Sequence, residues 1–558
     1  MKSLAPSLVA VLAVAALTLA PSLRAQEEKP AANSDSTAAK STKATEPAPP
    51  PDSTTQGSVD VGGQHIAYTA IAGTITVGAT DTDDAQLGSD GKPLPGSQLA
   101  LSAPKDPADA PPVGHMFYVA YFKTGANAED RPITFFYNGG PGSSTMWLHM
   151  GSLGPKYVET AGDTHLPGAP YKLIDNADCL LDVSDEVFID MPGTGFGRLA
   201  GKDAGKAFWG VDQDAEAFAR FIARFLAKYD RWNSPKFLFG ESYGTTRSAV
   251  LANILENEKS VDLNGVMLLG QIFDFPTAML GVAGGRPGMD LPYELALPTY
   301  AATAWYHKKL SPQPQVLEPF LKEVEDYAMG EYMHALAEGN NLSDAEKAQV
   351  AERLHEYTGL PVDYLIKANL RVSGSEFEKT FEDSENLTTG RYDTRFLGPT
   401  LDPLSEGAGY DPQSAAISSA YFSLVNLYLR QDLKYGEGQT YLPHALFDGF
   451  RWEMSRQSGA QLFSAAGGLN VSADLAEAMK TNPRLKVMVN DGYYDMATPF
   501  FAAEYEEEHL PIPASLTKNI EYDWYESGHM AYVRDECRKQ LHDRVAKFIK
   551  SADEGSKQ

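Results

Sequence analysis

The apolar run Lys236-Phe237-Leu238-Phe239 leads into Gly240-Glu241-Ser242-Tyr243-Gly244, and a helix-period pattern follows from Thr245 to Glu256. A Gly-x-Ser-x-Gly match alone says little, but a strand before it and a helix after it give it a mechanical meaning. The two glycines leave room for a sharp turn that lifts the serine hydroxyl out of the sheet. The helix then aims its unpaired N–H groups and positive dipole end at charge developing there. Ser242 is the candidate nucleophile.

A serine hydroxyl is a poor nucleophile at neutral pH and needs a base, itself held by a carboxylate. After a serine elbow of this kind the partners follow in the order acid, then histidine. Asp495 comes just past the strand-like run Leu485 to Asn490, and His529 just past Ile520 to Trp524, in Glu526-Ser527-Gly528-His529-Met530. Both fall beyond strand ends, where an open α/β sheet gathers its functional groups. Asp491 is the alternative acid. A second glycine-rich loop, Asn138-Gly139-Gly140-Pro141-Gly142-Ser143-Ser144, follows the buried-strand pattern Ile133 to Tyr137. By itself it reads equally well as a Gly-Pro turn. Beside the elbow it predicts an oxyanion hole, with the backbone N–H groups of Gly140 and Tyr243 as donors.

These residues need a sheet to hold them. Ile133–Tyr137, Glu186–Asp190, Lys236–Phe239, Gly265–Leu269 and Leu485–Asn490 read as short buried strands. Between the second and third, Asp212 to Asp230 places Phe218, Phe221, Ile222, Phe225, Leu226 and Tyr229 on one helical face. Strands separated by helices imply a mainly parallel sheet with helices on both faces. His65–Thr69, Gly73–Val77 and Met116–Phe122 predict an antiparallel lead-in. The stretch between Leu269 and Leu485 is far longer than a strand–helix connection needs, and it is rich in helical patterns such as Phe320–Ala337, Asp344–Tyr357 and Ala415–Leu433. The expected division is a core over 58–276 and 461–552, interrupted by a helical cap over 277–460.

Residues 1–25 read as an export signal: Lys2, an apolar run from Leu8 to Ala20, and a cleavage site at Leu23-Arg24-Ala25. An uncleaved anchor is the alternative, although the run is short for a bilayer. After cleavage no stable membrane insertion is expected. Residues 26–57 are rich in Ala, Pro, Ser and Thr and predict a disordered tether. The formal charge of −27, from 74 acidic and 47 basic side chains, disfavours nucleic acid as a partner. With only Cys179 and Cys537 in 558 residues, no disulfide framework forms. Cys537 reads as a buried thiol on a helix, a single bridge to Cys179 being the alternative. Asp81-Thr82-Asp83-Asp84 lacks calcium-loop spacing and reads as an exposed turn. No metal-ligand spacing is present, so neither a metal nor an organic cofactor is expected.

Taken together and in order, Asn138-Gly139-Gly140-Pro141-Gly142, Asp190-x-Pro192-Gly193-Thr194-Gly195-Phe196, Gly240-Glu241-Ser242-Tyr243-Gly244, Asp495 and Gly528-His529-Met530 resemble the signature set of the serine carboxypeptidases. The resemblance implies an α/β-hydrolase fold, with a central, mostly parallel sheet and a large inserted helical cap. It also implies an acyl-serine route that removes C-terminal residues from peptides carrying a free carboxylate. Asn138 and Glu241, with Gly139, would hold that carboxylate, and an ionised Glu241 would repel it, which favours acidic pH. Ser143 stands where the family has cysteine, which fits a bacterial-type, periplasmic or extracellular member. Ser152 stands where the family often places a glutamate against the one at Glu241, so the acidic preference is open. An esterase or acyltransferase using the same triad is the nearest alternative, and a non-catalytic binding protein on this fold the remote one.

Overall fold

The structure, a computed structural model, describes residues 49–278, 287–445, 450–456 and 468–556. The predicted export signal and nearly all of the predicted tether lie outside them. The tether's end needs correction. Strand β1 (Ser53–Val61) pairs antiparallel along its length with β2 (Gln64–Gly78), through a two-residue turn at Gly62-Gly63 with φ of 55° and 78°. Both glycines adopt the left-handed backbone that a tight hairpin turn requires. The Ser and Thr residues that made this segment look unstructured are β-branched or small, and its alternating Val59 and Val61 are buried. His65–Thr69 and Gly73–Val77, expected as two strands, are one continuous strand. It pairs with β3 (Val113–Lys123).

The rest of the sheet is built from runs buried on both faces: β4 (Ile133–Tyr137), β5 (Asp185–Ile189), β6 (Lys236–Glu241), β7 (Gly265–Leu269) and β8 (Lys486–Gly492). With the edge strand β9 (Ile520–Tyr525) they follow the order β1-β2-β3-β5-β4-β6-β7-β8-β9. Every pair from β5 to β9 is parallel. Near-continuous apolar strands of this kind are stable only with both faces covered. One face carries α1 (Val211–Lys228) and α2 (Tyr243–Asn257), with Phe218, Phe221, Phe225, Leu251 and Leu255 in its core. The other carries the C-terminal helix, Asp535–Ser556, through Cys537, Leu541, Val545 and Phe548. This is the α/β-hydrolase arrangement. The last helix runs past the expected end at residue 552. Cys179 and Cys537 are both buried and free, so the bridge does not form. Asp81–Asp84 forms one helical turn capped by Thr80. Its carboxylates engage cations of the protein, Asp84 with Arg224 at 2.9 Å and Asp81 with Lys259 and Arg220.

The insertion is less uniform than expected. Helices Leu291–Tyr306, Leu317–Tyr327 and Asp344–Thr358 share an apolar cluster of their own, in which Tyr300 stacks on Phe377 at 4.2 Å. Tyr493, Tyr494, Phe500 and Phe501, which follow β8, complete that cluster. Pro412–Leu427, by contrast, packs into the hydrolase core through Ile417, Tyr421 and Leu424. Leu442 bonds the backbone of Gly195, and His444 bridges to Ser143. The 277–460 boundary therefore overstates the cap, because apolar periodicity alone does not tell a helix of the cap from one lying on the sheet.

Two helices are pinned together beneath the loops that end β4 and β6. Arg247 on α2 donates to Asp214 on α1 at 2.5 Å, and both are fully buried. Burial outweighs the guanidinium and holds the Asp214 carboxyl above its ordinary range. Arg247 also donates to the carbonyl of Asn138 at 2.8 Å and lies 4.3 Å over the ring of Phe218. Removing one member leaves a buried charge uncompensated. Asp214→Ala is expected to lower the unfolding free energy by about 3–5 kcal/mol, read as a fall in the urea midpoint. A change below about 1 kcal/mol would assign the pair no structural weight.

Candidate active site

Ser242 ends β6 at the top of α2 with φ 61° and ψ −130°, a backbone region costly for any residue with a side chain. Its neighbours hold it there. The Ser242 N–H donates to the Leu269 carbonyl at 2.8 Å, and its own carbonyl accepts from the Thr245 N–H at 2.8 Å and the Thr245 hydroxyl at 2.7 Å. Glycine is obligatory beside it, since a Cβ on Gly240 would sit 2.2 Å from the Gly244 carbonyl oxygen. Ser242 itself is partly exposed.

The loop after β4 lies directly on this elbow. A Cβ on Gly139 would stand 2.4 Å from the Tyr243 nitrogen and 2.6 Å from that of Gly244. The backbones therefore meet with no side chain between them. Among the described residues neither the Gly140 nor the Tyr243 amide has an acceptor. Both predicted donors are available to an oxygen anion beside Ser242.

Asp495 and His529 meet as expected. His529 Nδ1 donates to Asp495 Oδ2 at 2.6 Å, with both groups buried. The second Asp495 oxygen accepts from the Ala497 and Thr498 amides at 2.8 and 3.1 Å. The Thr498 hydroxyl donates to Oδ2 at 2.6 Å. Asp491, the alternative acid, faces away and accepts from the Gln271 amide at 2.9 Å. Burial pushes the His529 imidazole down, but the Asp495 charge and hydrogen bond outweigh it and leave it above its ordinary value. With Nδ1 committed, Nε2 is the nitrogen left to accept a proton. The ring lies against Gly270, the residue after the one that anchors Ser242, where a Cβ would approach within 2.7 Å of it. Such an arrangement can deprotonate a hydroxyl and protonate a leaving group.

The third group surrounds Glu241, which is buried at 3% exposure. Burial raises its carboxyl to about 7, against the opposing pull of His529 and of hydrogen bonds from Tyr532 and Asn138. Tyr532 Oη donates to Glu241 Oε2 at 2.8 Å. Asn138 is oriented by the Leu148 N–H, which donates to its Oδ1 at 3.0 Å. Ser152, in the place of the expected partner glutamate, turns its hydroxyl to the Leu148 carbonyl at 2.6 Å instead.

Sequence reasoning missed Thr498, Tyr532 and the cap residues that fix the histidine. The Tyr392 carbonyl accepts the His529 N–H at 2.6 Å, and the Asp393 carboxylate accepts the Gly528 N–H at 3.1 Å. Asp495-x-x-Thr498 is a local turn signature that could have been read. The Tyr392 and Asp393 contacts span more than a hundred residues and leave no local mark.

Residues 108–283 match the family model described as serine carboxypeptidase. That segment is similar to the serine carboxypeptidases. Over 159 residues it is 29% identical to the pheromone-processing carboxypeptidase KEX1 of Saccharomyces cerevisiae, covering 27% of this chain and 20% of that one. Over 162 residues it is 27% identical to serine carboxypeptidase-like 36 of Arabidopsis thaliana, covering 28% of this chain and 32% of that one. The chain thus matches no more than a third of the length of either relative. The family match takes in the Asn138 loop and the elbow, whereas Asp495 and His529 join the site through geometry. Solved structures it is similar to include the proline iminopeptidase of Mycobacterium smegmatis, at 11% identity and TM-score 0.34, over 79% of this chain and 97% of that one. A thermostable carboxyl esterase of Bacillus coagulans gives 11% and 0.32, over 80% and 97%. The sheet order, rather than these distant likenesses, carries the fold.

Gly270 offers a direct check on the site. Gly270→Ala meets the His529 ring at a position with φ 63°, and is expected to cut labelling of Ser242 by a fluorophosphonate probe at least 10-fold. The far-ultraviolet circular dichroism should stay unchanged. Unaltered labelling would mean that the histidine does not serve Ser242.

Proposed function

We propose that this protein is an exported serine carboxypeptidase-like hydrolase that removes C-terminal residues from peptides through an acyl-Ser242 intermediate. Ser242 Oγ attacks the scissile carbonyl carbon while His529 Nε2 takes its proton, and Asp495 stabilises the imidazolium that forms. The carbonyl oxygen gathers negative charge, held by the Gly140 and Tyr243 amides. His529 then protonates the departing amino group as the C–N bond breaks, leaving the acyl ester on Ser242. Water, deprotonated by His529, attacks that ester, and the serine leaves with the proton.

The observation that carries the reading is a neutral-capable carboxyl beside the triad. A serine esterase has no need of Glu241 buried next to its nucleophile. A substrate ending in a carboxylate does, since a protonated carboxyl donates a hydrogen bond to it where an ionised one repels it. Asn138 supplies amide hydrogens to the same place. Export is supported by the N-terminal sequence, and two unpaired cysteines suit a periplasmic or extracellular enzyme that does without disulfides. No described helix is long and apolar enough to cross a membrane.

The test is cleavage of blocked dipeptides across pH 4 to 8, beside an ester of the same acyl group with no carboxylate in its leaving group. Glu241 is protonated below about 7, so kcat/KM for the free-acid peptide should fall as pH rises through that value. The acidic limb belongs to His529, which must be neutral to act. Ester hydrolysis should keep its rate above pH 7. Glu241→Gln should abolish the alkaline fall, and Glu241→Ala should raise KM about 10–100-fold, the loss of one hydrogen bond to a charged group. Ester hydrolysis without peptide cleavage would make the protein an esterase. A chain that neither cleaves nor labels would be a binding protein.

A further inference from the structure

The proposed carboxylate site leaves one buried group unassigned. Tyr532 lies three residues after His529 on the same loop, is 1% exposed, and donates to Glu241 Oε2 at 2.8 Å. Its ring occupies a niche that a side chain would close: a Cβ on Gly151 would stand 2.3 Å from the Tyr421 hydroxyl and 2.7 Å from the Tyr532 ring. This placement is therefore specific, not generic core filling.

The hydrogen bonds around it run in one direction. The Leu148 N–H can only donate, so Asn138 Oδ1 is fixed as its acceptor at 3.0 Å. The Asn138 amide nitrogen is then the atom turned toward Glu241 and Tyr532, and it works against the upward push of burial on both groups. Tyr532 turns its own hydrogen to Glu241 Oε2. Burial keeps the phenol protonated far beyond the neutral range, so this donor does not lapse. An oxygen that accepts a strong hydrogen bond is the carbonyl-like oxygen of a carboxylic acid, and the acid proton belongs on the other.

Resting on the proposed carboxypeptidase reading, we infer that Tyr532 is a positioning residue for substrate recognition: by donating to Glu241 Oε2 it places the acid proton on Oε1, the oxygen left for the substrate's terminal carboxylate. The charged and titratable groups facing Glu241 are His529, Asp495, Tyr532, Tyr421 and Tyr392. Of these, Tyr532 makes the direct hydrogen bond. It does the work of the absent partner glutamate differently: two carboxyls would share a proton and repel when both ionise, whereas a phenol favours the ionised Glu241.

Tyr532→Phe keeps the ring and removes the donor. The measured quantity is the ratio of kcat/KM for a free-acid blocked dipeptide to that for the matching ester, followed from pH 4 to 9. In Tyr532→Phe the midpoint of its alkaline fall should move upward by about one pH unit, because the ionised form of Glu241 has lost a donor. The plateau at low pH should drop several-fold through KM, because the proton is no longer confined to Oε1. In the Glu241→Gln background, which has no alkaline fall, the same substitution should introduce none, since Tyr532 acts through Glu241. A midpoint unchanged from wild type, or peptide and ester rates falling together, would overturn the inference and leave the carboxypeptidase reading standing. A wild-type protein that hydrolyses only the ester would overturn both.

Discussion

The site depends on a close approach of two backbones. The loop after β4 and the turn after β6 touch with no side chain between them, which is why Gly139 and Gly244 are glycines, while Gly240 leaves room for the first turn of α2. Ser242 is held in an unfavourable backbone conformation by the Leu269 carbonyl and by Thr245. Arg247, buried below, reaches up to the Asn138 carbonyl and so ties the same loop to the helix that carries the nucleophile. Shift one of these contacts, and the hydroxyl, the amides and the side chains of Asn138 and Glu241 lose their register together.

Removal from water then decides the chemistry of the charged groups. Asp495 is held by three donors and an imidazole. Glu241 has fewer donors, and burial leaves it able to hold a proton near neutrality. His529 is pulled both ways, down by burial and up by its carboxylate, and the carboxylate wins. Two acidic side chains that both bear on one histidine thus take opposite roles, because their hydrogen-bond partners differ rather than their residue type.

Much of this could be read from the sequence, for reasons that differ by element. The buried strands showed themselves as unbroken apolar runs, α1 as an apolar face, and the elbow as glycines flanking a serine between strand and helix. Asp495 and His529 were legible because each follows a strand by a short turn. The choice of Asp495 over Asp491 rested on less, since Asp491 stands near the end of β8 and Asp495 just past it, and the direction of their side chains is what separates them. Ser53–Val61 was misread because its composition suits a tether, while its partner strand and two turn glycines lie further along. The limits of the cap were misplaced because helical periodicity records which face is buried, not what buries it. Tyr532 carried no mark at all: nothing near it in the chain reports a glutamate almost three hundred residues away.

The cap's involvement in the histidine loop has a consequence for how such a protein can change. Tyr392 and Asp393 belong to the inserted segment, yet they bond the backbone of His529 and Gly528, and the cap's aromatic cluster includes residues on either side of Asp495. The inserted segment is thus fastened to the part that must stay still. A cap held in this way cannot be exchanged as a detachable module. It must alter the outer helices while preserving one short inner seam, and variation among related chains should thin out along that seam.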